Sequence, residues 1–321
     1  MADAQSPPFD SGRRRTVGTA DAGRRVDDVV AEMLGVGRRA AVRLLDQVRL
    51  DGRRVRKGDR VSPGAEIVLQ EVRPGAIAGA APDPDPGDLG PVVRRATADV
   101  FVVDKPAGLP SVAISGRGGE SLAAWAARLD PACAGVGRPG ENGLAHRLDG
   151  GTSGLVLVAR NGPAWSALRE QFSRREVEKT YLALVCGGIR EPLEIDVAVG
   201  RHPKSRRRML AVSGSRDPAR YAAQPALTLV EPLEQVGRHA LVRARTSSGA
   251  RHQVRVHLAH AGHPLAGDVL YGGEPAPGLD GFLLHACALL WREQGTGRDA
   301  FDESPPPERW REILGRVRDA G

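Results

Sequence analysis

The chain has 321 residues, 41% of them hydrophobic, enough to enclose a sizeable core and long enough for about two domains of ordinary size, so a wholly disordered protein is excluded. Lysine and arginine total 46 against 39 acidic residues, a formal charge of +7 with a pI near 9.9, which suits a polyanionic partner such as nucleic acid. Cys133, Cys186 and Cys287 are isolated and odd in number, so they build neither a disulfide framework nor a paired-cysteine metal site, and a reducing compartment is implied.

No apolar stretch reaches the ~18 residues of a membrane span, and the first residues lack the apolar centre of a secretion signal. A cytoplasmic protein without membrane contact is therefore expected. The cations are all arginine except Lys57, Lys105, Lys179 and Lys204, a bias that with the abundant alanine and glycine reflects GC-rich coding as well as recognition.

Residues 1–13 carry no hydrophobic periodicity and read as a mobile arm. Val26, Val29, Val30, Met33 and Leu34 then recur at helical spacing until Gly35 and Gly37 stop the run. RRAAVRLLDQ predicts a second helix with Val42 and Leu45 on one side, and Val48 and Leu50 lead into the Asp51-Gly52 turn signal of a hairpin. The run RPGAIAGAAPDPDPGDLGP is rich in proline and glycine and predicts a linker, placed at 74–93 between a first unit over 14–73 and a larger one over 94–321. The larger unit alternates apolar strands, VFVV at 100–103 and LVLV at 155–158, with helical segments, which gives an α+β fold.

Four of its segments can be read together. DKPAGLP at 104–110 suits a rigid loop after a buried strand, and GLAHRLDGGTSGLVLVAR at 143–160 sets a lone acid, Asp149, between cations and a Gly-Gly turn. REVEKTYLALVCG at 175–187 predicts a strand with Tyr181, Ala183 and Val185 on one face and Leu182 and Leu184 on the other, Tyr181 starting it near its mouth. SSGARHQVRVHLAHAGHPLAGDVLYGG at 247–273 predicts a helix from about His252 to Gly262, with Arg255 inside it.

In this order the four segments resemble the motifs of the RluA-type family of RNA pseudouridine synthases over most of residues 94–292, HRLD followed by TSG being the most specific. The resemblance implies a catalytic domain with a mixed, largely antiparallel sheet and flanking helices. It also implies that Asp149 is the catalytic acid, that Tyr181 packs against the target base, that Arg255 pairs with the carboxylate, and that Arg147 contacts the RNA backbone or fills the space a flipped base vacates. LLHA at 283–286 and PPPERWREIL fit the same pattern. Gly150 and Gly151 depart from it where the family more often has larger residues, as does SSGARHQ in place of Thr-Gly-Arg-Thr-His-Gln. Residues 24–69 resemble, in turn, the S-four-type RNA-binding domain, a small α/β unit whose second helix and following turn present cations to phosphates. Here that implies Arg38, Arg39, Arg43, Arg53 and Arg54, since guanidinium groups bind phosphate through a two-bond fork.

The chemistry agrees with these residue types. Isomerising uridine breaks a bond from the ribose anomeric carbon to nitrogen, turns the base and rejoins it through carbon, with no redox step, so neither cofactor nor metal is expected. An ionised carboxylate can attack the anomeric carbon or take the neighbouring sugar proton, and an arginine beside it favours the ionised form. The base must first be flipped out of its stack, which an aromatic ring can partly offset. Lys179 reads as a surface cation at the cleft edge that touches phosphate.

Simpler readings stand beside these. A loop aspartate is usually a turn residue, a strand tyrosine is usually core, and surface arginines often only solvate a helix face. His252, His257, His260 and His263 lack metal-site spacing and read as packing residues, and His146 reads as orienting the Asp149 loop. GVGRPGENG at 135–143 is neither a P-loop nor a dinucleotide site, and Trp310, Ile313, Leu314 and Val317 form a helical stripe that docks on the core. The leading expectation is a monomeric, cofactor-free isomerase of uridine in structured RNA, with large-subunit ribosomal RNA ahead of transfer RNA. A noncatalytic RNA-binding or ribosome-assembly protein is the runner-up. A glycoside hydrolase ranks last, because no second acid stands out near Asp149.

Overall fold

The computed structural model describes residues 14–56, 58–70, 90–114, 119–214 and 217–320. The expected arm at 1–13 and residues 74–89 of the expected linker lie outside these.

The first unit places β1 (Arg14–Thr16), α1 (Val26–Leu34), α2 (Arg38–Arg43), β2 (Val48–Leu50), β3 (Arg53–Arg54) and β4 (Glu66–Leu69) around an antiparallel sheet of order β1-β4-β2-β3. α1 has the predicted bounds, and Gly35 closes it in the left-handed conformation at φ 62°. Asp51 and Gly52, both at positive φ, make the predicted two-residue turn between β2 and β3. The second helix is shorter than predicted: α2 stops at Arg43 and a 3-10 turn covers Leu45–Gln47. The core is filled from Ala40, Ala41, Leu44 and Leu45, with Val42 only half-buried, so the apolar face is rotated from the expected one.

The larger unit contains β5 (Val92–Ala96), β6 (Val100–Lys105), α3 (Leu122–Leu129), β7 (Ser153–Ala159), α4 (Gly162–Ser173), β8 (Glu178–Cys186), β9 (Leu193–Asp196), β10 (Ala198–Arg201), β11 (Met209–Val212), β12 (Leu227–Val236), β13 (His239–Thr246), α5 (Gln253–His260), β14 (Leu284–Arg292), β15 (Asp299–Glu303) and α6 (Arg309–Asp319). β5 opens at Val92, so the last two positions of the expected linker are strand. The main sheet runs β5-β6-β7-β14-β8-β13-β12-β9 with β15 on β14, and β10 pairs with β11 as a separate hairpin. Its ladders are antiparallel except where β14 meets β7 at His285–Ser153 and Ala286–Gly154. The α+β class and the largely antiparallel sheet are as the sequence predicted.

Period-two alternation sorts the sheet's side chains between two layers. Phe101, Val103, Val156, Val158, Tyr181, Ala183, Val185 and Val242 join α3 and α5 in one core through Leu122, Ala126, Val254 and Leu258. Leu155, Leu157, Leu182, Leu184 and Leu241 face the other way, where Ala164 and Leu168 of α4 and Trp310, Leu314 and Val317 of α6 cover them. The predicted split of Tyr181, Ala183 and Val185 from Leu182 and Leu184 is thus observed, as is the docking of the C-terminal stripe. Strands buried on both faces explain why β7 reads as an unbroken apolar run. Side-chain oxygens cap two helices: Ser121 accepts from the Ala124 amide at 3.2 Å and Asn161 from Ala164 at 2.9 Å.

The first unit packs on the larger one at β14 and β15, where Ala288, Leu290 and Phe301 complete its core. The Gly37 amide donates to Glu178 Oε1 at 2.7 Å, Thr180 Oγ1 donates to the Gly35 carbonyl at 3.1 Å, and Arg43 forks onto Asp299.

The approach of β14 to β7 depends on Gly154, whose φ is +111° and where an added Cβ would lie 2.3 Å from the Ala286 carbonyl oxygen and 2.6 Å from its nitrogen. Gly154→Ala is expected to lower stability by about 1–3 kcal/mol through backbone strain and forced separation of the strands. A urea midpoint unchanged from wild type would show that the junction tolerates a side chain.

Candidate active site

Asp149 sits on the short loop before β7. Ser111 Oγ donates to the Leu148 carbonyl at 2.7 Å and accepts from its amide at 3.0 Å, the Gly108 amide donates to the Gly150 carbonyl at 2.7 Å, and the Thr152 amide donates to the Asp149 carbonyl at 3.0 Å. Lys105, fully buried below this loop, donates to the carbonyls of Pro106 at 2.9 Å, Leu109 at 2.8 Å and Gly150 at 3.4 Å. Burial pulls its ammonium down to about 8, with Asp149 and Asp104 opposing that shift. The backbone that carries the acid is therefore fixed from two sides. His146 supports it from within the same run: its Nε2 accepts from the Leu157 amide at 3.1 Å, its ring lies 4.7 Å from that of Phe172, and burial lowers it to about 3, a neutral structural histidine.

The Asp149 side chain keeps 22% of its surface, and its Oδ2 accepts from Arg255 Nη1 at 3.0 Å. α5 supplies Arg255 through its buried face, where the side chain is 8% exposed. The same guanidinium forks onto Asp268, Nε to Oδ2 at 2.7 Å and Nη2 to Oδ1 at 2.8 Å, and lies 5.0 Å from the ring centre of Tyr271 and 4.6 Å from that of Phe282. One cation thus bridges two carboxylates between two aromatic rings, which fixes its plane and leaves one N–H pair for Asp149. Tyr181 lies in the core that includes Leu148, Val254 and Leu284, only 8% exposed, and burial pushes its phenol up, with the Asp149 charge adding to the shift.

The fold brings the predicted Asp149, Tyr181 and Arg255 to one place. Tyr181 is not at the strand's start, since β8 begins at Glu178 and leaves it three residues inside. Arg147 is exposed on the approach to Asp149. Lys179 is a correction: it is 5% exposed, donates to the Ser248 carbonyl and lies 5.8 Å from the Phe172 ring centre, and burial pulls it down to about 8, so it is a core tether and not a surface cation. Arg43 is likewise engaged, with Asp299 and the Glu176 carbonyl. Arg38 pairs with Asp27 and Asp28 and Arg53 with Asp59, each keeping more than half its side-chain surface, and Arg54 is exposed. The Arg39 side chain lies outside the described residues.

Several residues of the site were not foreseen. Asp268, 2% exposed and 13 positions beyond Arg255 past the end of α5, is the acid that anchors Arg255. His252 is not a packing residue: it stands at the N-terminus of α5 at φ 56°, its Nε2 3.6 Å from Asp149 Oδ1 and its Nδ1 2.7 Å from the Tyr271 hydroxyl. His257 does pack, between Thr228 Oγ1 and the Val197 carbonyl. The end of β10 and the loop to β11 expose Arg201, Lys204, Arg206, Arg207 and Arg208, and the loop is held to the site by Arg251, which donates to the carbonyls of Arg206 at 3.1 Å and Arg207 at 3.4 Å. The cluster RHPKSRRR was the signal for it.

Both sequence departures have a physical setting. A Cβ at Gly151 would come within 3.0 Å of the Phe282 ring, while Gly150 faces open space. In SSGARHQ, the Ser248 hydroxyl donates to Gln253 Oε1 at 3.0 Å and the Ala250 amide donates to the same oxygen at 3.2 Å, so the segment is pinned to the start of α5.

The family model for RNA pseudouridylate synthase matches residues 99–260. The chain is similar to the ribosomal large subunit pseudouridine synthase D of Xanthomonas campestris pv. campestris, at 33% identity with 99% of this chain and 97% of that protein covered. It is similar to the protein of the same name from Xylella fastidiosa, at 33% identity with 96% and 93% covered. Among solved structures, human RNA Pseudouridylate Synthase Domain Containing 1 aligns with a TM-score of 0.53 and 26% identity over 70% of this chain and 86% of that one.

Proposed function

The chain belongs to the RluA-type family of RNA pseudouridine synthases, isomerases that convert uridine to pseudouridine in RNA, and from that premise we propose that Asp149 performs the conversion on uridine in large-subunit ribosomal RNA. The observation that carries the reading is the Asp149 carboxylate itself, part-exposed in a buried setting and ion-paired at 3.0 Å to an arginine that a second, fully buried acid holds in place. Arg255 aims the carboxylate through its 3.0 Å bond to Oδ2, and the carboxylate acts as nucleophile at the anomeric carbon or as base on the neighbouring sugar proton. The flipped uracil comes to rest against Tyr181, whose phenol burial keeps protonated. Arg147 and the exposed cations at 201–208 meet the phosphates around the flipped nucleotide.

The names of the two bacterial relatives favour ribosomal over transfer RNA. No helix among the described residues is long and apolar enough to cross a membrane; the ribosomal names of the relatives support a place in the cytoplasm. The test is an unmodified large-subunit ribosomal RNA transcript incubated with the wild-type chain and with Asp149→Asn, and the pseudouridines mapped. Conversion at defined uridines by the wild type alone supports the reading, and no conversion by either overturns it.

Residues 14–73 act as the auxiliary RNA-binding unit in this reading, with Arg53 and Arg54, exposed on the edge strand β3, as its phosphate contacts. Deleting the unit would uncover Ala288, Leu290 and Phe301, so charge removal is the cleaner probe. Arg53→Gln with Arg54→Gln is expected to weaken binding to the transcript and to flatten the dependence of log K on log salt by roughly one unit per lost contact. An unchanged slope would remove these arginines from the interface.

A further inference from the structure

Arg255 secures one oxygen of Asp149, and the other faces a histidine. His252 Nε2 lies 3.6 Å from Oδ1, with its ring side chain 9% exposed. The backbone at His252 is left-handed, φ 56°, a conformation in which histidine is enriched over most side chains, and it turns the ring back from the start of α5 toward the acid. On its far side, Nδ1 is 2.7 Å from the Tyr271 hydroxyl, and that hydroxyl accepts the Met209 amide proton at 2.9 Å. The Tyr271 ring at the same time lies against the Arg255 guanidinium.

Proton placement follows from these contacts. Burial lowers the imidazole, with Asp149 opposing and Arg255 and Arg251 adding to the shift, so the neutral ring carries one N–H. Tyr271 already accepts from Met209, and its own proton is free for Nδ1. That tautomer sets the N–H on Nε2, toward the carboxylate, whereas the other would set a lone pair against it. Without a group at Oδ1, the carboxylate could turn about its terminal torsion, which is broad and two-fold for aspartate.

We propose that His252 and Tyr271 are positioning residues for Asp149: the Tyr271 hydroxyl fixes the His252 ring, and the ring's Nε2 edge, 3.6 Å away in an electrostatic contact longer than a hydrogen bond, steadies the carboxylate oxygen that Arg255 leaves free. This rests on Asp149 being the reacting group. Neither residue needs to touch the uridine, and their effect falls on the rate of the chemical step and not on RNA affinity.

The experiment measures single-turnover conversion of the unmodified large-subunit ribosomal RNA transcript, its Kd and the thermal midpoint, for the full chain and for Tyr271→Phe, His252→Ala, His252→Gln and Asp149→Asn. Tyr271→Phe keeps the ring on Arg255 and removes only the hydroxyl. The expected result is a single-turnover rate lowered about 10- to 100-fold in Tyr271→Phe and His252→Ala, the range that a misplaced reacting group produces, with Kd and midpoint near wild type. His252→Gln, whose amide can return a donor near the place of Nε2, should recover part of the loss. Wild-type rates in Tyr271→Phe and His252→Ala beside an inactive Asp149→Asn would overturn the proposal alone. Losses that track a lowered midpoint or a weakened Kd would make the two residues structural and overturn it as well. An active Asp149→Asn would overturn the reading of Asp149 on which it rests.

Discussion

Asp149→Asn should lower the single-turnover rate of pseudouridine formation by about 10³-fold or more while leaving the chain folded and RNA-bound. The amide is nearly isosteric with the carboxylate, and its oxygen can still accept from Arg255 Nη1, the contact now made at 3.0 Å. It has no charge to offer the anomeric carbon and no basicity toward a sugar proton. Folding should barely respond, because Arg255 stays neutralised by Asp268, which is 2% exposed and makes both fork bonds, whereas the Asp149 side chain is 22% exposed. RNA affinity should also hold, since the cations at Arg147 and 201–208 are untouched. The readout is the rate at saturating enzyme with the Kd measured in parallel, and a rate within tenfold of wild type would take Asp149 out of the chemistry.

What could be read beforehand was whatever local pattern decides. The strand of Tyr181 was legible because period-two alternation separates two cores, and the hairpin at Asp51-Gly52 because only a few residues tolerate positive φ at both positions. The same alternation places Lys179 on the face of Tyr181, which is buried, yet its charge alone suggested the surface. Long-range partners were not legible. Arg43 has the same letter whether it meets a phosphate or Asp299, 256 positions on, and Arg255 was matched to Asp149, 106 positions away, by a motif and not by periodicity. Asp268, Tyr271 and His252 converge because the chain after α5 folds back onto Arg255 and His252, a relation that spacing along the chain does not encode.

Arg255→Met is expected to destabilise the chain by about 3–5 kcal/mol and to abolish conversion, two effects with different causes. The stability loss comes from Asp268. With its side chain 2% exposed and both oxygens on Arg255, it would be left as a buried charge with neither fork bond. The activity loss comes from Asp149, whose Oδ2 would lose the donor at 3.0 Å. The two separate in the double variant Arg255→Met with Asp268→Leu. Removing both charges replaces a buried ion pair by apolar side chains, which is often neutral or stabilising, so the urea midpoint should return most of the way to wild type. Conversion should not return, because Asp149 still lacks its arginine. A single variant within 1 kcal/mol of wild type, or a double variant that regains activity, would contradict this partition. If both hold, the Arg255–Asp268 pair is retained for the geometry it imposes on Asp149 and not for the stability it adds, since an apolar pair would stabilise the same space and leave the carboxylate unheld.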